Sequence, residues 1–357
     1  MPVKVIAIGD PHFKIDNIPE VDTFIERVEA LCFEKKPDFI VCLGDLLHTH
    51  EKLHTTPLNK AYEFIERMRN ISPTYILVGN HDFCNNSQFL TDNHWMNGMK
   101  EWNDVTVVDK VIARMIDNEK FVFTPYVFPG RLEEALDTLD DDWKDATCIF
   151  AHQEFKGCKM GAIVSDSGDD WPLTHPHVIS GHIHARQIIQ ENVYYTGSAM
   201  QHAFGESDKN IIAVLDFDFG EYSREEVDLE LPRKKIVYMD VDNVEDYQTP
   251  ATTEDQIKIT ISGSYNEFKT FKKSKKYKEL TAKGIKVVFK QKKIEVKKAK
   301  DEIDQMIEQT SGEGNTEMSF VSILEKLVEN QKNPLLHQAY EYIIHDREVS
   351  PEDVMFL

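Results

Sequence analysis

Asp10-Pro11-His12, Gly44-Asp45-Leu46-Leu47-His48, Gly79-Asn80-His81-Asp82, His152 and Gly181-His182-Ile183-His184 put carboxylate, carboxamide and imidazole groups at the tail of five apolar runs. Two divalent cations held by a shared carboxylate, several imidazoles and one carboxamide can grip a phosphate group from two sides. They can also lower the pKa of a bridging water toward neutrality. The chemistry such a set serves is hydrolysis of a phosphate ester. Mixed nitrogen and oxygen ligation without thiolate favours manganese, iron or zinc over calcium, and over structural zinc, which usually takes cysteine.

Each cluster alone says little. Asp10-Pro11-His12 and Gly44-Asp45 are compatible with polar turns that close a strand. Gly79-Asn80 is ordinary turn chemistry, but a turn does not call for His81-Asp82 behind it. His182 and His184, two apart in an extended segment, share one side of it, and a core histidine accounts for one of them but not both. In this order and with these spacings, the five clusters read as one site.

Strands that all run the same way bring their C-terminal ends to one sheet edge, where residues distant in sequence can meet. The apolar runs 3–8, 39–43 and 75–78 suit such strands. Between them, Phe24, Ile25, Val28 and Leu31, then Ala61, Tyr62, Ile65 and Met68, recur at helical spacing. Strand, helix, strand in this order argues for βαβ units. After Val105 short strands multiply, at 111–116, 121–123, 148–151, 193–196 and 211–217. The expected fold is α/β: a two-sheet sandwich flanked by helices.

In these motifs the chain resembles the calcineurin-like metallophosphoesterase superfamily over about residues 1–220. The resemblance implies that one metal is held by Asp10, His12, Asp45 and His184 and the other by Asp45, Asn80, His152 and His182, with Asp45 bridging. It also implies that His81 faces the phosphate and protonates the leaving oxygen, and that Asp82 orients His81 or supports its charged form. Gly44 to His48 is similar to the second motif of the SbcD nuclease family, the nuclease subunit of the complex called meiotic recombination 11 in eukaryotes. There the histidine matching His48 is a second substrate-facing residue. Tyr195-Thr196-Gly197-Ser198, then Phe204-Gly205-Glu206 and Lys209, is similar to the segment that closes the nuclease core in that family; Pro11 and Thr196 depart from its pattern without replacing a ligand. Phosphoprotein phosphatases of the superfamily carry arginines beside the second motif, where this chain has Leu46-Leu47-His48.

The resemblance therefore implies a manganese-dependent DNA exonuclease or endonuclease. It would be the nuclease subunit of an SbcCD-like repair and recombination complex, of bacterial or phage type and homodimeric. The alternative in the same chemistry is a small-molecule or cyclic-nucleotide phosphodiesterase; in another class it is a non-catalytic scaffold on the same fold.

With 357 residues and 41% hydrophobic content, the chain can hold one large domain and something smaller. The expected division is a nuclease domain over 1–230, a lysine-rich α+β capping domain over 231–300, and a linker with a C-terminal helical pair over 301–357. The net charge of −21 fits nucleic acid poorly until its distribution is read. Residues 269–300 hold 14 lysines and two acids, Glu279 and Glu295, so they carry +12 and the rest of the chain −33. Such a segment can track a phosphate backbone without reading bases, or it can be a solvated face. Residues 256–262 alternate like a strand, 266–283 read as a lysine-studded helix ended by Gly284, and 285–290 return as a strand, similar in pattern to the SbcD capping domain.

Beyond a Gly/Ser/Asn-rich linker at 310–316, Phe320, Ile323, Leu324, Leu327 and Val328, then Leu336, Ala339, Tyr340, Ile343 and Ile344, mark two short amphipathic helices separated by Asn333-Pro334. They have too little surface for a core of their own. In the SbcD family a comparable pair docks on the coiled-coil root of the partner ATPase SbcC, and the resemblance implies the same here. Five cysteines without metal-type spacing fit a reducing cytosol. No basic-then-apolar leader and no apolar run of membrane length are evident, so a cytoplasmic protein is expected.

Overall fold

The computed structural model describes residues 2–250, 254–291, 320–331, 336, 337 and 340, in two compact units, Met1–Lys290 and Gln291–Leu357. The first unit begins β1 (Val3–Ile8), α1 (Ile18–Lys35), β2 (Phe39–Cys42), α2 (Thr55–Arg69), β3 (Thr74–Leu77) and β4 (Val105–Val108). It continues through β5 (Ile112–Ile116), β6 (Glu119–Phe123), α3 (Leu132–Leu136), β7 (Cys148–Ala151) and the short pair β8 (Lys159–Met160) and β9 (Ile163–Val164). Next come β10 (His177–Ser180), β11 (Gln187–Gln190), β12 (Val193–Tyr195), β13 (Ile212–Asp218) and β14 (Glu221–Val227).

Two six-stranded sheets result, ordered β14-β13-β1-β2-β3-β4 and β11-β12-β10-β7-β6-β5. The strands β1 to β4 pair in parallel, as do β6, β7, β10 and β12, and antiparallel partners close the flanks. This is the expected α/β sandwich.

Alternation along buried strands builds its layers. Val5 and Ala7 of β1 face Phe121, Phe123 and Phe150 of the second sheet, in a core that also holds Val41, Leu77 and Ile179. Their neighbours Ile6 and Ile8 face the other way, into Phe24, Val28, Phe64 and Met68 of α1 and α2. The far side of the second sheet does the same with Val122, Ile149 and Val178 against Leu132, Leu136, Trp143 and Trp171. Both faces of each sheet are therefore covered, which is why the central strands read as unbroken apolar runs. Helix α1 starts with a proline in its first turn and stops at Lys36, whose left-handed backbone (φ 51°) turns the chain into β2.

After β14, a separate three-stranded sheet is ordered β15 (Lys234–Asp240), β16 (Gln256–Gly263) and β17 (Lys286–Gln291). Here the sequence expectation of one helix over 266–283 is corrected: two helices form, α4 (Tyr265–Phe271) and α5 (Lys275–Ala282). Ser264 caps the first in a capping box with Glu267, and Ser274 caps the second by accepting from Tyr277 N at 3.1 Å. A serine between lysines is a start signal that a count of charges conceals. Ile257, Ile259 and Ile261 pack with Phe271, Leu280 and Ile285 beneath these helices.

In the second unit α6 (Phe320–Asn330) matches the first expected amphipathic stretch. The linker at 310–316, the Asn333-Pro334 break, Ala339, Ile343, Ile344 and the lysines over 292–300 lie outside the described residues. Among the described residues, no helix is long and apolar enough to cross a membrane.

Candidate metal centre

Each of the five motifs follows the C-terminal end of a parallel strand. Asp10 and His12 come just after β1, Asp45 after β2, Asn80 and His81 after β3, His152 directly after β7, and His182 and His184 after β10. The loops are tight. Asp10, His12, Asp45 and His182 have left-handed backbones (φ 39°, 46°, 51° and 78°), each costing about 1–3 kcal/mol for a residue with a Cβ. Neighbouring loops hold them there: His12 N donates to Asp45 O at 2.9 Å and Phe13 N to Leu46 O at 2.8 Å. Two glycines make the approach possible. A side chain at Gly44 (φ 104°) would collide with the His152 ring, and one at Gly79 with the Asp45 carboxylate.

All seven residues expected as ligands meet. Asp10, His12 and Asp45 bring ligand atoms within 4.8 Å of one another, and so do Asp45, His152 and His182. The Asp45 carboxylate belongs to both groups: Oδ2 is 3.5 Å from His12 Nε2 and 3.4 Å from His152 Nε2. Asn80 Oδ1 lies 3.0 Å from His152 Nε2 and 2.9 Å from His182 Nδ1, and His184 Nε2 lies 3.1 Å from His12 Nε2.

These residues fit divalent cations on grounds internal to the structure. Asp10 Oδ2 is buried and has no hydrogen-bond partner, a costly state that a cation relieves. The His152 ring is anchored from behind: its Nδ1 lies 2.6 Å from Leu43 O, which turns Nε2 toward Asn80 and Asp45. The donor set is oxygen and imidazole nitrogen throughout; Cys42, three residues before Asp45, is buried in the apolar core, and Cys84 accepts from Asn93 Nδ2 at 3.0 Å.

Electrostatics agree. Burial pushes the Asp10 carboxyl up to about 6, against the pull of His152. Burial also opposes ionisation of Asp45, yet His152 and His12 hold it well below the usual carboxylate range. For His152 burial disfavours the cation, but Asp45 and Asp10 push it up to about 9. Burial takes His12 well below the ordinary imidazole value and His182 down to about 3, which keeps both neutral, the form that ligates. Without cations the pocket thus stores a proton on His152 as a partial substitute for positive charge.

The three residues expected to be catalytic divide. His81 donates its backbone N–H to Asp45 Oδ1 at 2.8 Å, and its Nδ1 lies 2.7 Å from His48 O, leaving Nε2 for a substrate. His48 lies at the same rim, its ring nearly parallel to His81 (10°, centroids 5.6 Å apart) and its Nδ1 3.4 Å from His12 Nδ1. Asp82 does not meet His81. Its buried carboxylate accepts from Gly79 N at 3.1 Å, Leu47 N at 3.3 Å, Leu46 N at 3.4 Å and Trp95 Nε1 at 3.0 Å. The expectation that Asp82 orients His81 is corrected: backbone amides of two motif loops claim it first, and it joins those loops.

Sequence reasoning passes over His202, the role of Glu206, His50 and Asn86. His202 Nε2 lies 2.9 Å from Asp10 O, and its ring packs edge-on against His12 and His184. Glu206 accepts from His202 N and Ala203 N, both at 2.9 Å, and its Oε1 lies 3.6 Å from His184 Nδ1. The Phe204-Gly205-Glu206 segment holds the one signal, but nothing in its spacing says that it folds back on the first and last motifs.

The cluster could hold divalent metal ions, and the chain belongs to the calcineurin-like phosphoesterase family, whose model matches residues 3–186. Two relatives from invertebrate iridescent viruses are provisionally named phosphoesterases. Protein 078R of Invertebrate iridescent virus 3 is 46% identical over 292 residues, covering 81% of this chain and 84% of its own. Protein 244L of Invertebrate iridescent virus 6 is 48% identical over 280 residues, covering 76% and 98%. Among solved structures, the Escherichia coli phosphoesterase YfcE is 13% identical over 60% of this chain and 88% of its own, with a TM-score of 0.32. GAP50, the anchor in the inner membrane complex of Plasmodium, is 14% identical over 64% and 85%, with a TM-score of 0.41.

Proposed function

We propose that this phosphoesterase is a manganese-dependent DNA nuclease, the nuclease subunit of an SbcCD-like complex. Its ligands would be Asp10, His12, Asp45 and His184 for one ion and Asp45, Asn80, His152 and His182 for the other. Bound there, two divalent cations supply Lewis acidity toward a phosphoryl group and toward water. The chain's own residues supply the rest. His81, with Nδ1 committed to a carbonyl, presents Nε2 to protonate the departing oxygen, and His48 beside it adds a second donor for developing negative charge.

The single observation that carries the reading is this pair of parallel imidazoles at the rim of the ligand cluster, one placed to protonate the ester oxygen that departs and one to meet the phosphoryl oxygens that gain charge. The lysines of α4 and α5 add to it. Eight of the nine between residues 269 and 290 are exposed, as sequence-independent contact with a nucleic-acid backbone requires. Helix α6 supplies an amphipathic surface for a coiled-coil ATPase partner. A homodimer working in a reducing cytoplasm completes the proposal; the five cysteines are free.

The test is digestion of linear duplex and hairpin DNA by the manganese-loaded protein, with and without a co-purified coiled-coil ATPase. Manganese-dependent cleavage that His81→Asn removes is the expected result. Hydrolysis of bis-p-nitrophenyl phosphate with every DNA left intact would assign a small-molecule phosphodiesterase instead.

A further inference from the structure

One cavity opens beside the ligand cluster without belonging to it. Its volume is about 380 Å³, and His50, Cys84, Asn85, Asn86, Ser87 and Phe128 line it. Two contacts join it to the centre. The His50 ring lies nearly parallel to His81 (14°, centroids 4.7 Å apart), and Asn86 Oδ1 lies 3.5 Å from Asn80 Nδ2. A phosphate engaged by His81 at the centre therefore has this groove within reach of the group it esterifies.

The lining limits what enters. No carboxylate, ammonium or guanidinium is among the lining residues, so the groove offers no fixed full charge to pair with a second phosphate or an ammonium group. Phe128 is 55% exposed although Tyr126 and Val127 just before it are buried, which leaves a flat apolar ring facing the groove. The Asn85–Ser87 part of the lining is tied together: Asn85 Oδ1 accepts from Ser87 N at 3.0 Å, Ser87 Oγ at 2.7 Å and Gln88 Nε2 at 3.0 Å. Asn86 is exposed and keeps its amide hydrogens free at the mouth. A ring to stack on, one amide to read an edge and no charge to satisfy describe a flat, neutral heteroaromatic group.

We infer that this groove is a nucleobase subsite: the base of the nucleotide whose phosphate sits at the metal centre stacks on Phe128 and meets Asn86 at its edge. The inference rests on the nucleic-acid reading above and adds specificity-determining residues to it. A base held this way is out of its duplex stack, which favours ends, hairpin tips and single strands as the place of cleavage.

Calorimetric titration of the manganese-loaded full chain with dAMP and with 2-deoxyribose 5-phosphate tests it, because the second keeps the sugar and phosphate and has a hydroxyl in place of the base. The expected ratio of Kd values is about 5- to 150-fold in favour of dAMP, the range of one base stacked on one aromatic side chain. Phe128→Ala brings that ratio close to one, and Phe128→Tyr retains it; matching melting temperatures show that the variants are folded. Equal affinities in the unsubstituted protein, or a ratio that Phe128→Ala leaves intact, overturn the inference. The readout needs no turnover, so an intact ratio without DNA cleavage sinks the nuclease reading alone, and DNA cleavage with equal affinities sinks the base subsite alone.

Discussion

Around Asp45 the functional side chains are nearly all withdrawn from water: Asp10, His12 and His152 are fully buried and Asp45 is 2% exposed. On α4 and α5 the lysines other than the half-buried Lys276 stand in solvent, with Phe271 and Leu280 as the buried residues that hold the helices to their sheet. The first region is determined by where each parallel strand ends. Every ligand stands in the tight loop just past its strand, and a shift of one residue would take it out of that loop position, so residue type and spacing carry nearly all the information. The second is determined by charge density, which tolerates exchange of positions and of lysine for arginine. A buried site is therefore specific in sequence and brittle to substitution, whereas a charged face is vague in sequence and changes by degrees.

That contrast can be broken or sharpened by substitution. At the centre, Asp45→Ala removes the carboxylate common to both ligand groups, and phosphodiester hydrolysis should fall to the level of the metal-free protein. A steady-state assay on bis-p-nitrophenyl phosphate checks this. Next in size is His81→Asn. Loss of a general acid costs roughly 10²- to 10⁴-fold in kcat, while metal content by mass spectrometry should stay at that of the unsubstituted protein.

The stored proton gives a pH dependence. In the metal-free centre His152 is pushed from its ordinary 6.5 up to about 9, so an entering cation must displace a proton at neutral pH. Manganese affinity should weaken about tenfold for each pH unit below 9 and level off above it. The linkage sign is the usual one for a raised histidine: this proton stabilises the metal-free fold fully below 6.5, and that contribution is lost as pH rises through 9. Affinity flat between pH 6 and 9 would contradict the assignment of His152.

Smaller is the effect of Asp82→Ala. It leaves the N–H groups of Gly79, Leu46 and Leu47 without their acceptor and should cost about 1–3 kcal/mol in urea unfolding. A stable Asp82→Ala protein with a displaced pH profile would restore the discarded role in orienting His81. Smallest per residue are the lysines: replacing Lys272, Lys273 and Lys275 by glutamine should lower the slope of log affinity for duplex DNA against log salt by about 0.9 for each phosphate no longer neutralised. A slope that does not move places DNA on another face.

How much of this is legible in the sequence follows the same division. The sandwich and the seven converging side chains can be read because each ligand stands one to four residues past an apolar run, and parallel strands fix where such residues go. Asp82 misleads because its neighbour His81 is close in sequence while its true partners, Leu46 and Leu47, come from another loop. His202 and Glu206 reach the site through a segment that returns to β1, where Ala199 N donates to Gly9 O at 2.7 Å, a meeting no periodicity announces. The groove at Phe128 is invisible for a related reason: an exposed phenylalanine in a loop has no pattern until the residues across from it are known.

Crystals of the manganese-loaded protein, with anomalous scattering collected at the manganese edge, bear most directly on the central claim. Two peaks should appear, both touching Asp45, one among Asp10, His12 and His184 and the other among Asn80, His152 and His182. A single peak, or two peaks of which either lies out of contact with Asp45, would contradict the account.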